Sequence, residues 1–109
     1  MTRRSKILLV DDDRNARTAL AELLRDAGYD VATAGGEVQV PAVLETFQPD
    51  VVLRDERAAG HEAAWVGDTA AAQHVLMSTL DLGFGIGAPW VKKPIDLEAL
   101  LALLARLTR

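Results

Sequence analysis

"KILLVDDDRN", residues 6–15, is the stretch that decides the fold. Four aliphatic residues at positions 7–10 run straight into three carboxylates, Asp11, Asp12 and Asp13. A run this short, aliphatic and ended abruptly by charge reads as a buried strand. Packing three like charges against the end of an apolar strand costs free energy unless something cationic offsets them. The question is what the strand delivers those carboxylates to.

Working outward, "DRNARTALAELLRDAG" (13–28) puts Ala16, Leu20, Leu23, Leu24 and Ala27 at helical spacing, with an Asp cap before them and Gly28 after. "YDVATA" (29–34) alternates into a second strand that Gly35 and Gly36 end. "VQVPAVLETFQ" (38–48) reads as a helix provided Pro41 falls in its first turn. Pro49 breaks the chain before "DVVL" (50–53), a third buried strand that again runs into charge at "RDER" (54–57). "HVLMS" (74–78) and "PWVKK" (89–93) read as strands four and five, and "DLEALLALLARL" (96–107) as an amphipathic helix capped by Asp96.

Strand and helix thus alternate throughout, which implies a parallel sheet with helices on both faces, because parallel neighbours need crossover connections. Residues 1–109 are expected to form one domain. In such a sheet ligands collect outside the carboxyl ends of the strands, where strand order reverses. Asp11 and Asp12 end the first strand and Asp55 ends the third, so neighbouring strands would bring three carboxylates into one crevice.

Composition narrows the class. Half of the 109 residues are apolar and 26% are charged, which suits an ordinary soluble domain with a real core. A net charge of −4 without a long basic run argues against nucleic acid as the main partner. The absence of cysteine excludes disulfides and thiol chemistry and is compatible with a reducing cytoplasm, the expected location. The basic residues before strand one precede too short an apolar run for a signal peptide, and no stretch approaches the roughly 20 residues that span a bilayer, so no membrane insertion is expected.

"ILLVDDD", "PDVVLRD" with Gly60 five residues after Asp55, "VLMST", and "GAPWVKKPIDLEALLALLARL" together resemble the response-regulator receiver domain. The resemblance covers essentially the whole chain, with its landmarks in order at strand ends. It implies a flavodoxin-like, doubly wound sheet of five parallel strands in the order 2-1-3-4-5. It implies that Asp55 accepts a phosphoryl group from the phosphohistidine of a histidine kinase or phosphotransfer protein. It further implies that Asp11, Asp12, Asp55 and the backbone carbonyl of Arg57 hold Mg²⁺. Ser78 takes the place of the family's hydroxyl residue, Lys93 that of its lysine, joined to Pro94 by a cis bond, and Trp90 that of its switch aromatic.

The residue types fit that chemistry. Mg²⁺ prefers oxygen ligands in octahedral array and keeps several waters, which suits two or three carboxylates and a carbonyl. A carboxylate nucleophile is an established route to an aspartyl-phosphate, and Ser78 and Lys93 would supply a hydrogen bond and a compact cation to the equatorial oxygens. Asp13 reads as a helix cap. His61 and His74 lack metal-ligand spacing, and "GFGIG" (83–87) lacks the Lys-Ser/Thr of a phosphate-binding loop.

Two segments depart from the family pattern. Only 22 residues (56–77) separate Asp55 from Ser78, and only 14 (79–92) separate Ser78 from Lys93. The latter contain three glycines and a proline, so the fourth helix is expected to be absent or cut to one turn. The family signals to downstream proteins through that helix, strand five and the last helix, which leaves the output partner unspecified. Arg54 stands where the family has an aliphatic residue, and Ala58 and Ala59 replace its Met-Pro character. The leading expectation is a phosphoacceptor receiver acting by protein–protein contact, with no enzymatic activity beyond its own phosphorylation and dephosphorylation. The alternatives are a receiver-like binding or scaffold module that works without phosphorylation, and a small Mg²⁺-dependent phosphohydrolase with Asp11 as nucleophile and Asp13 as acid.

Overall fold

The computed structural model describes residues 4–55, 72–79 and 89–109. Strand β1 (Lys6–Val10) leads into helix α1 (Arg14–Asp26), strand β2 (Asp30–Ala34), a 3-10 turn (Glu37–Gln39) and helix α2 (Val40–Leu44). Strands β3 (Val51–Asp55), β4 (Gln73–Ser78) and β5 (Trp90–Lys92) follow, and the C-terminal helix (Leu97–Leu107) completes the described chain. All four strand pairings are parallel, in the order β2-β1-β3-β4-β5. This is the doubly wound order expected from the alternation, and it puts β1 between β2 and β3, where the winding reverses.

β1 is central because it is apolar on both faces, with Ile7, Leu8, Leu9 and Val10 fully buried. Its period of two sends Ile7 and Leu9 into the larger core with Leu20, Leu24, Leu100 and Leu104, under α1 and the C-terminal helix. Leu8 and Val10 enter a smaller core with Val40, Val52 and partly buried Phe47, under α2. β3 repeats the pattern, Val51 and Leu53 joining the larger core and Val52 the smaller.

Asp13 caps α1 by accepting from the backbone N–H groups of Asn15 and Ala16, and Gly28 ends it with a φ of 101° that suits glycine. The C-terminal helix takes its cap from Asp96, which accepts from the N–H of Ala99 at 3.2 Å. Two expectations need adjustment. α1 buries Leu20, Ala21 and Leu24, whereas Leu23, Ala16 and Ala27 lie on its exposed side. The helix packs on one sheet face only, so a stripe narrower than the apolar spacing is covered. α2 stops at Leu44. Pro41 does lie in its first turn, but Phe47 packs against the smaller core, and Pro49 disfavours helix at Gln48. The expectations for a short third helix, a reduced fourth helix, Gly60, the loop at Ala58 and Ala59, His61 and "GFGIG" fall outside the described residues. No described helix is long and apolar enough to cross a membrane.

Candidate functional site

The carboxyl ends of β1, β3 and β5 meet at one edge of the sheet. Asp55 is the last residue of β3 and continues the alternation of Val51 and Leu53, while Asp11 follows β1 in line with Ile7 and Leu9. Both carboxylates therefore emerge on the side of the larger core and sink into it, at 2% and 4% exposure. Asp12, on the opposite parity, is exposed. One oxygen from each of Asp11, Asp12 and Asp55 lies within 4.8 Å of the other two. At that spacing two carboxylates repel by about 3 kcal/mol even at an effective dielectric of ~20.

Lys93, immediately after β5, supplies the cation. Its Nζ donates to Asp11 Oδ2 at 3.2 Å and to Asp55 Oδ2, closing a bridge over the edge of the sheet. Burial by itself would lower the Lys93 pKa, but the hydrogen bonds and charges of Asp55 and Asp11 outweigh it and hold the pKa above the ordinary lysine value. The ammonium is therefore charged throughout the neutral range. Its backbone N–H donates to the carbonyl of Ser78 at 2.7 Å, and the Lys93-Pro94 bond is cis. Asp11 is held at its other oxygen by the N–H of Asp13, 2.9 Å away.

Among the described residues three carboxylates stand here against one ammonium, an excess of two negative charges, and one carboxylate faces solvent. Hard oxygen donors converging with that charge fit a small divalent cation such as Mg²⁺. Ser78, buried at the end of β4, pairs with Lys92 beside the same edge. Trp90 opens β5 opposite Leu76, two register positions short of that pair. Arg57, whose carbonyl was expected as a ligand, lies outside the described residues. Arg54 pairs with Val10 and Leu76 and leaves β3 on the face opposite Asp55. Asp13 is accounted for by its cap. A groove runs from Asp11 and Lys93 between α1 and the segment 94–97, floored by Leu20 and Met77.

One contact was not among the expectations: Arg17 Nη1 donates to the backbone carbonyl of Asp11 at 2.7 Å. Its only sequence signal is a long cation one turn inside a helix that follows a carboxylate-bearing strand.

Solved structures share this architecture. The chemotaxis response regulator CheY4 of Vibrio cholerae matches with a TM-score of 0.78 and 25% identity, over 96% of this chain and 99% of that one. A two-component response regulator from Clostridium difficile matches in fold with a TM-score of 0.82 at 19% identity, over 97% of each chain. The fold is that of a response-regulator receiver domain. In sequence, 54 residues, half of this chain, are 39% identical to the DNA-binding response regulator MtrA of Mycobacterium tuberculosis, and MtrA of Mycolicibacterium smegmatis matches equally. The matched stretch spans 24% of the length of those relatives. No protein-family model matches the chain.

Proposed function

We propose that the chain is a phosphoacceptor: Asp55 takes a phosphoryl group from the phosphohistidine of a histidine kinase or phosphotransfer protein, and the phosphorylated domain signals by contact with a downstream protein. The observation that carries this reading is the buried Asp11–Asp55 pair clamped by Lys93, with the exposed Asp12 carboxylate within 4.8 Å. An oxygen of Asp55 attacks phosphorus, the phosphorus–nitrogen bond breaks, and the imidazole leaves with its electron pair. Lys93 already touches Asp55 and follows the charge as it moves to the phosphoryl oxygens. Ser78, from the neighbouring strand end, donates a hydrogen bond to the same oxygens. Asp11 and Asp12, with Asp55 and the carbonyl of Arg57, would hold Mg²⁺. When bound, Mg²⁺ offsets the residual negative charge and polarises the phosphoryl group. The groove beside Lys93, with Leu23 45% exposed on α1, gives the donor protein a surface to approach. Trp90 is read as the aromatic that reports the change, and the domain as one that works in the cytoplasm.

The test is intact mass after incubation with Mg²⁺ and phosphoramidate, which carries the same phosphorus–nitrogen bond. Wild type is expected to gain one phosphoryl group and Asp55→Asn none. Labelling that survives Asp55→Asn would point to Asp11 as nucleophile, and a folded wild type that never labels would point to a module working without phosphorylation.

A further inference from the structure

Asp11 and Asp55 are each fixed by contacts of their own side chains. Asp12 is not: among the described residues its carboxylate makes no hydrogen bond or ion pair. The backbone supplies the point from which it starts. The peptide between Asp11 and Asp12 is planar, so the placement of its carbonyl fixes the plane that carries the Asp12 nitrogen and Cα, the base from which that side chain reaches the cleft.

That carbonyl is the one Arg17 holds, at 2.7 Å. The guanidinium also lies against the turn after β2. A Cβ on Gly35 would stand 3.2 Å from Arg17 Nη1 and 3.1 Å from Gln39 Oε1. Gln39 Oε1 accepts from the Gly35 N–H at 2.6 Å. The N–H of Asp11 donates to Ala34 at 3.2 Å, so both sides of this residue are tied to the same corner. The first turns of α1, the end of β1 and the β2–α2 turn thus meet at one clasp, and Gly35 leaves the space through which it passes.

We propose that Arg17 is a positioning residue for the cation site, locking the peptide between Asp11 and Asp12 so that the Asp12 carboxylate stands with Asp11 and Asp55. The inference rests on the reading of that cleft as a Mg²⁺ site. Its sign separates it from a simple field effect. A guanidinium near a cation site repels the cation, so if charge alone mattered, removing Arg17 would tighten binding. If Arg17 positions Asp12, removing it weakens binding.

The experiment is a calorimetric Mg²⁺ titration of wild type, Arg17→Met, Arg17→Lys and Gly35→Ala, with thermal unfolding of each in chelator. Arg17→Met is expected to weaken Mg²⁺ binding about tenfold, as loss of an outer-sphere partner commonly does. Arg17→Lys should recover part of that loss. Gly35→Ala should weaken binding severalfold while keeping the charge, and it carries the test should Arg17→Met fail to fold. Unchanged or tighter Mg²⁺ binding in the folded variants overturns the proposal, including when their melting temperature falls, because the contact is then structural only. A wild type that binds no Mg²⁺ overturns the reading of the site and this proposal with it, a result distinct from failure of the variants alone.

Discussion

Lys93 is the residue on which the cleft depends most. Its ammonium is bonded to both buried carboxylates, and truncating it to methionine removes a paired cation from two charges in a setting that solvates them poorly. Breaking a buried pair from one side costs about 3–5 kcal/mol. The low end applies here, since about a fifth of the Lys93 side chain is exposed. Lys93→Met is therefore expected to be destabilised by about 3 kcal/mol in chelator. Saturating Mg²⁺ should recover much of that loss, because it answers the same negative charge. Unfolding curves with and without Mg²⁺ check both halves, and a variant as stable as wild type in chelator would mean that the clamp contributes nothing net. Asp11, Asp12 and Asp55 were legible in the sequence because each lies at the end of a strand whose apolar run fixes where it stops, whereas Lys93 came from the resemblance. Arg17 was not legible, because a hydrogen bond to a backbone carbonyl needs only a long cation one turn into the helix, a feature too common to single it out.

At the scale of elements, caps and strand ends decide what each acid does. Asp13 shares a run with Asp11 and Asp12, yet its oxygen is committed to the N–H groups of Asn15 and Ala16 at the start of α1. Asp13→Ala is expected to cost about 1 kcal/mol of stability, the usual loss for an N-cap. Mg²⁺-dependent labelling at Asp55 should persist in that variant. A variant that stays folded but loses phosphoryl chemistry would instead restore Asp13 as an acid and favour the hydrolase alternative. The caps, the strands and the place of Pro41 could be read because each rests on local backbone chemistry. The extent of burial on α1 could not. Leu23 fits the apolar spacing as well as Leu24 does, but only Leu24 meets the sheet, while Ala21 fills the contact that the spacing assigned to its neighbours. α2 ended early for the same kind of reason, since Phe47 packs against the smaller core beyond the helix end. Tertiary contact settled both.

For the molecule as a whole, the cleft is where distant parts of the chain are joined. The bridge from Asp11 through Lys93 to Asp55 spans sequence separations of 82 and 38 residues, and it closes the ends of β1, β3 and β5 over the larger core. A cation bound there is present only when those strand ends are together, so its binding free energy adds to the stability of the fold. By linkage, Mg²⁺ at a hundred times its dissociation constant should stabilise the folded state by about 2.7 kcal/mol. For a domain of this size that corresponds to a rise of about 10 °C in melting temperature. Asp12→Asn separates this effect from general ionic stabilisation. In chelator the substitution relieves like-charge repulsion at an exposed site and should raise stability slightly, by less than about 1 kcal/mol. In Mg²⁺ the same variant should lose most of the rise, because it lacks the solvent-facing ligand. The two melting curves are thus expected to cross: the variant is the more stable protein without Mg²⁺ and the less stable one with it. Parallel shifts in both buffers would mean that Asp12 stands outside the cation site. A crossing would show that the cleft spends folding stability on holding three carboxylates together, which a protein gains from only if something that binds there repays it.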